Sequence, residues 1–189
     1  MVYFFRMELS EQQLIAQAAA GKVAAFEKLL YAYEKRIFYH VARFINRRED
    51  AEDVTQEVFI KVYRNLKAFK PETGKFTTWI YTIATRTAYD WLRHQRRSPA
   101  ELFVIDDPEA PFETFEDDAA YNKIAEKEDW ALILKNLKPE YQTVVALRFQ
   151  DELSYEEIAN VLGLPIGTVR TYLHRAKADL AKFYESRSK

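Results

Sequence analysis

The residues of this chain whose types and spacing suit chemistry are mostly cations, and the chemistry they suit is recognition of a polyanion. From Ile158 through Ala178 there is no Asp or Glu, although the 189-residue chain carries 29 acidic side chains. The same stretch holds Thr168, Arg170, Thr171, His174, Arg175 and Lys177, with Ser154 just upstream. Reading a major groove needs this composition, because guanidinium forks pair bidentately with guanine O6 and N7 while carboxylates would meet phosphates. A plain helical hairpin with a basic outer face is the bland alternative. A second set, Lys70, Lys75, Arg86, Arg93, Arg96 and Arg97, lies in or after the loop Phe69-Lys70-Pro71-Glu72-Thr73-Gly74-Lys75-Phe76. Cations there can track a phosphate backbone, and aromatics beside a glycine hinge can hold an unstacked base, although aromatics flanking a loop also serve as core anchors. The third set is acidic. Asp53, Gln56 and Glu57, with Asp50 before them, suit either docking of a basic protein surface or the positive end of a helix dipole.

Catalysis finds little support. The three histidines, His40, His94 and His174, are isolated and lack metal-ligand spacing, and cysteine is absent. There is neither a phosphate-binding glycine loop nor a nucleophile elbow. No catalytic residue, metal site or cofactor is therefore expected.

The elements that position these residues read as helices throughout. Apolar residues recur at helical spacing over Leu14 to Ala18, Phe26 to Phe44, Ala51 to Leu66 and Thr77 to Arg93, and again over Ala119 to Leu137, Pro139 to Phe149, Ser154 to Leu162 and Ile166 to Tyr184. Ser10 with Gln13, and Ser154 with Glu157, form capping boxes; Gly21 marks a stop, and Gly163 supplies a tight turn before Pro165 restarts the chain. Val54, Val58, Val62 and Leu66 make one buried side; Ile80, Ile83, Ala84, Thr87 and Trp91 make another, with Asp90 spaced to pair with Arg86 or Arg93. Val169, Leu173, Ala176, Leu180 and Phe183 form a single stripe opposite the arginines. The fold class is all-α: two small helical domains, residues 8–98 and 119–187, the second a helix-turn-helix, joined by an acidic linker over 99–118.

Composition agrees with that division. Only 4 glycines and 6 prolines accompany 48 % hydrophobic residues, which favours helices over a turn-rich β architecture. The net charge of −1 hides an uneven distribution: 17 basic and 11 acidic side chains over 1–98, 2 and 11 over 99–129, 9 and 7 over 130–189. Two mildly basic bodies flank an acidic strip, an asymmetry that suits a polyanion partner. No apolar run approaches the roughly 20 residues that span a bilayer, so membrane insertion is not expected and a cytoplasmic location is. Met1 to Arg6 stands apart as an aromatic segment before Met7, and either methionine suits a translation start.

Taken together, these motifs resemble a bacterial RNA polymerase sigma factor of the small extracytoplasmic-function type. The first domain is similar to the family's core-binding and promoter-melting domain through Ala25-Phe26, Asp50-Ala51-Glu52-Asp53-Val54-Thr55-Gln56-Glu57-Val58-Phe59 and Phe76-Thr77-Thr78-Trp79-Ile80-Tyr81-Thr82-Ile83-Ala84, with Asp90 and Leu92-Arg93 beyond. The second is similar to its promoter-reading domain through Leu137-Lys138-Pro139-Glu140, Leu153-Ser154-Tyr155-Glu156-Glu157-Ile158-Ala159, Gly167-Thr168-Val169-Arg170 and His174-Arg175-Ala176. The resemblance implies that Asp50, Asp53, Gln56 and Glu57 dock on the clamp coiled coil of the largest subunit of core RNA polymerase. It implies that the Phe69–Phe76 loop and the cations around Arg86 and Arg93 capture the opened minus-ten element. Ser154, Thr168, Arg170, Thr171, His174, Arg175 and Lys177 would contact the minus-thirty-five element of promoter DNA as duplex. An anti-sigma protein is implied as a further partner, and the acidic linker would thread the polymerase channels. Arg86 departs from the Asn that is common there in the family, which bears on base preference at the minus-ten element. A free-standing repressor would share the helix-turn-helix, but the first 98 residues offer neither a heptad seam for dimerisation nor a phosphoacceptor sheet.

Overall fold

The structure, a computed structural model, describes residues 9–95 and 130–187. Among them are eight α-helices and no strand: α1 Glu11–Ala19, α2 Val23–Ala42, α3 Arg48–Asn65, α4 Phe76–His94, α5 Trp130–Lys135, α6 Pro139–Phe149, α7 Tyr155–Leu162 and α8 Ile166–Arg187. Two short 3-10 turns, Leu66–Ala68 and Pro71–Thr73, connect α3 to α4. The chain divides into two compact units, residues 1–87 and 88–189, so the division falls inside α4. The linker, the helix expected from Ala119 up to Asp129, the segment Met1 to Arg6 and the inner edges of both expected domains lie outside the described residues.

In the first unit, α1 begins at the capping box expected from the sequence: Ser10 Oγ accepts from the Gln13 N–H at 3.3 Å, and Gln13 Oε1 accepts from the Ser10 N–H at 2.9 Å. Gly21, at φ +90°, turns the chain into α2, a backbone region that side chains with a Cβ avoid. The inner face of α2 carries Ala25, Leu29, Tyr33, Ile37, His40 and Val41, all buried, and packs on both α1 and α3. On α3 the valine stripe is buried as expected, Val54, Val58 and Val62 continuing into Leu66 of the first 3-10 turn. Phe59 and Thr55 widen that face, and Thr55 satisfies its buried hydroxyl by donating to the Ala51 carbonyl at 2.7 Å.

Three hydroxyls fix α4 against its neighbours in this unit. Thr77 Oγ1 lies 3.2 Å from the Tyr33 hydroxyl, Thr85 Oγ1 2.8 Å from His40 Nε2, and Thr87 Oγ1 accepts from Lys61 Nζ at 3.3 Å. Ile80, Tyr81 and Ala84 fill the interface; of the residues expected to point inward, Ile83 and Trp91 are only half-buried. That difference follows from Tyr81 and Thr85, which occupy the inward arc one position further round.

In the second unit α6 is the central helix. Tyr141, Val144, Val145, Ala146 and Leu147 are all buried, a helix apolar nearly all round because α5, α7 and α8 each pack on it. Pro139 starts α6 at the position where a missing N–H costs nothing. Glu152 adopts a left-handed conformation, φ 57°, and the next residue, Leu153, is driven into the core at 1 % exposure. Ser154 then caps α7: its Oγ accepts from the Glu157 N–H at 3.2 Å, and Glu157 Oε2 accepts from the Ser154 N–H at 2.7 Å. Gly163 ends α7 in the left-handed conformation, φ 68°, after which Pro165 O accepts from the Thr168 and Val169 N–H groups at the start of α8. Val169, Leu173, Ala176 and Leu180 are buried as expected; Phe183 is half-buried, and Tyr172 joins the stripe with its ring 5.4 Å from that of Tyr141.

His40 gives the first unit a pH dependence. Its ring is fully buried between Phe44 and Tyr81, with centroids 5.2 and 4.9 Å away, and Nδ1 has no hydrogen-bond partner. A neutral ring with its proton on Nε2 donates to Thr85 and leaves only a lone pair uncompensated. Burial first, and then the positive charge of Arg43, hold its pKa well below the ordinary 6.5. Below about pH 6.5 the unfolded chain takes up a proton that the folded chain refuses, so stability present above that pH falls by about 1.4 kcal/mol per pH unit as acid is added. Urea unfolding of the protein at pH 7.5 and 5.5 measures this slope, and His40→Gln is expected to reduce it.

Candidate nucleic-acid interface

The candidate recognition surface of the second unit is built on one helix by its own periodicity. Because Val169, Leu173 and Ala176 face the core, the residues between them face out: Arg170 and His174 are exposed, and Thr168, Thr171, Arg175 and Lys177 are half-buried. Arg170 and His174, like Thr171 and Arg175, are four positions apart and stack on neighbouring rows of α8. Thr171 donates its hydroxyl to the Gly167 carbonyl at 2.9 Å, which leaves its methyl and an oxygen lone pair for contact. Ser154 spends its oxygen on the α7 cap, so what it offers a phosphate is the positive end of that helix.

The second cationic set is more dispersed. Lys70 and Lys75 are exposed on the loop before α4, and Arg86 is exposed on α4 itself. Arg93 is exposed but forms an ion pair with Asp90, the helical-spacing partner anticipated from the sequence. Arg96 and Arg97 lie outside the described residues. Gly74 takes φ 156° and ψ 177°, a region close to exclusive to glycine, and a Cβ there would meet open space, so backbone shape and not crowding selects glycine. At the loop ends three rings form a triangle: Phe69 to Phe76 at 5.4 Å, Phe69 to Trp79 at 5.3 Å and Phe76 to Trp79 at 5.6 Å. Phe76 is buried and serves as the anchor, whereas Phe69 and Trp79 are half-buried and keep ring surface exposed.

On α3, Asp53, Gln56 and Glu57 are exposed on one side, with Glu57 paired to Lys61 at 2.8 Å. Asp50 is half-buried and 3.6 Å from Arg47. Beside this face the structure adds a groove of about 1020 Å³ between α2 and α3, lined by Phe26, Leu30, Phe38, Phe59, Ile60 and Tyr63 and flanked by Glu52 and Gln56. Sequence reasoning missed it. The signal was present in Phe59, Ile60 and Tyr63, which fall outside the valine stripe and widen the apolar arc of α3 beyond what one core contact needs. Among the described residues no three His, Asp or Glu side chains gather as a metal site, and no helix is long and apolar enough to cross a membrane.

Comparison with known proteins gives the family. The family model for Sigma-70 region 2 matches residues 29–98, and that for Sigma-70 region 4 matches residues 127–180. The chain is 33 % identical over 177 residues to the ECF RNA polymerase sigma-E factor of Haemophilus influenzae, covering 90 % of this chain and 93 % of that one. It is 35 % identical over 182 residues to the RNA polymerase sigma-H factor of Pseudomonas aeruginosa, covering 91 % and 92 %. Among solved structures, CnrH, determined in complex with the cytosolic domain of CnrY, matches with a TM-score of 0.57 and 25 % identity over 92 % of this chain and 96 % of that one. The sigma factor RpoE of Bartonella quintana, determined with the anti-sigma factor NepR, shares the fold at a TM-score of 0.56 and 18 % identity, covering 85 % and 96 %. A chain that matches region 2 and region 4 in this order, with relatives above 30 % identity along nearly its whole length, belongs to the sigma-70 family of RNA polymerase sigma factors, in its ECF group.

Proposed function

We propose that this sigma factor directs initiation by docking on core RNA polymerase through α3, reading the minus-thirty-five element through α8 and holding the opened minus-ten strand at the Phe69–Phe76 loop. The observation that carries the reading is the outward face of α8, where Arg170, Thr171, His174 and Arg175 stand over a buried stripe with no carboxylate among them. The exposed Asp53, Gln56 and Glu57 and the adjoining apolar groove support docking of a helical, basic partner surface, as expected of the clamp coiled coil. The protein works in the cytoplasm beside the polymerase and performs no catalysis of its own. An anti-sigma protein restrains it, a reading supported by the relative determined with the cytosolic domain of CnrY and by the RpoE–NepR complex.

Sequencing transcript start sites after overexpression tests the whole reading, since a sigma factor yields one shared pair of upstream elements and a repressor yields none. The free chain is expected to bind duplex DNA weakly, because the 9 basic and 7 acidic side chains of residues 130–189 neutralise few phosphates. A gel shift with and without core polymerase reads this. Specific binding that needs no core would favour the repressor.

Charge reversal at Asp53 and Glu57 together is expected to abolish core association in a pull-down while circular dichroism stays unchanged, since neither side chain is in the core. Core binding at the wild-type level would reduce these carboxylates to dipole partners of their own helix.

For α8, Arg170→Ala or Arg175→Ala removes a donor fork without opening a cavity. Loss of about 1–3 kcal/mol confined to one upstream base position is expected, and a uniform loss over all sequences would mark a phosphate contact instead. Val169→Ala acts through packing, because Val169 is at 0 % exposure, and is expected to lower the melting temperature by a loss of about 1–3 kcal/mol. Transcription from a library of upstream elements, with melting curves alongside, separates these effects.

A further inference from the structure

We propose that Tyr33 is a positioning residue for the strand-capturing loop, a role that rests on the reading of the Phe69–Phe76 loop given above. Tyr33 lies on α2, buried at 3 % exposure, and three helices meet at its hydroxyl. The hydroxyl donates to the carboxylate of Glu11 in the first turn of α1 and lies 3.2 Å from Thr77 Oγ1 in the first turn of α4. A phenol has one proton to give. With that proton on the Glu11 side, the Tyr33 oxygen is left as an acceptor and the Thr77 hydroxyl becomes the donor, which fixes the polarity of the chain Thr77 to Tyr33 to Glu11. Burial, reinforced by the bond to Glu11, pushes the Tyr33 pKa up to about 12, so the donor persists at any cellular pH.

The ring of Tyr33 continues the connection. It meets Phe76 edge-on, centroids 5.4 Å apart at 79°, and Phe76 in turn touches Phe69 and Trp79. Phe69 and Phe76 are the two ends of the loop. A buried phenol needs only one partner, and Thr77 alone would supply it; the second bond recruits a charged residue 22 positions upstream on a separate helix. Hydrogen bonds to an ionised group are the stronger kind, so α1 holds Tyr33 firmly in place. Held there, Tyr33 sets the rotation and axial position of the first turn of α4, and with them the span between Phe69 and Phe76. A loop held at its binding width loses less freedom when a strand enters.

The test uses the full chain assembled with core polymerase on a promoter fragment taken from the start-site mapping, with 2-aminopurine replacing one minus-ten base of the non-template strand. Tyr33→Phe removes only the hydroxyl. It is expected to slow the fluorescence rise that reports opening by roughly three- to tenfold, the scale of one hydrogen bond, while affinity for core and protection of the upstream element stay at wild-type levels. Glu11→Ala should match it, and Glu11→Gln should recover most of the rate because the amide carbonyl still accepts. Opening at the wild-type rate in Tyr33→Phe overturns the proposal. So does a loss of core affinity or upstream protection in proportion to the loss of opening, which would make Tyr33 a general packing residue. A wild-type complex that protects the upstream element yet leaves the probe dark withdraws the loop reading itself, and the role of Tyr33 with it.

Discussion

Everything in this protein depends on the burial of one face of each helix, because that burial decides which face is left to meet a partner. On α8 the two faces are inseparable: with Val169, Leu173, Ala176 and Leu180 in the core, Arg170 and His174 have nowhere to go but solvent. At about 25 cal/mol per Å² of apolar surface, each such valine or leucine contributes on the order of 1.5–3 kcal/mol, more than a single exposed cation gains from any contact on its own helix. The presentation of the arginines is thus enforced by residues that lie in the core. The same holds on α3, where the valines aim Asp53, Gln56 and Glu57 outward.

Polar groups in the first unit do a different job. Packing alone tolerates rotation and sliding of one helix against another, whereas a buried hydroxyl with a fixed partner does not. Tyr33, Thr77, His40, Thr85 and Thr87 are distributed along the interface so that α4 is registered near its start and again two to three turns later. The arrangement has a cost in acid, since the buried imidazole of His40 resists protonation. It places order at the start of α4, while the second unit relies on a capping box, a left-handed glycine and an almost wholly apolar α6.

Charge is spent sparingly at the surface. Two acidic side chains of α3 are engaged with cations of the same helix, Glu52 with Arg48 and Glu57 with Lys61, each at 2.8 Å. Exposed pairs of this kind are worth less than about 1 kcal/mol, so a partner can exchange them at little expense. Arg93 is in the same position with Asp90 on α4. A surface of weak internal pairs keeps its charges available for exchange.

The sequence by itself determined the helices, both capping boxes, the glycine turn at Gly163 and the outward faces of α3 and α8, because these follow from local periodicity and from side chains bonding to backbone within one turn. The widened face of α8 was also legible in principle, since Tyr172 lies three and four positions from Val169 and Ala176. Tertiary structure decided the groove between α2 and α3, which needs Phe26 and Tyr63 brought edge to face at 4.9 Å from separate helices. Tertiary structure alone decided that Phe76 is an anchor while Phe69 and Trp79 keep open surface, and that Glu11, Tyr33 and Thr77 converge. Contacts over such separations depend on how whole helices pack, and no spacing along the chain encodes which hydroxyl will meet which carboxylate across that packing.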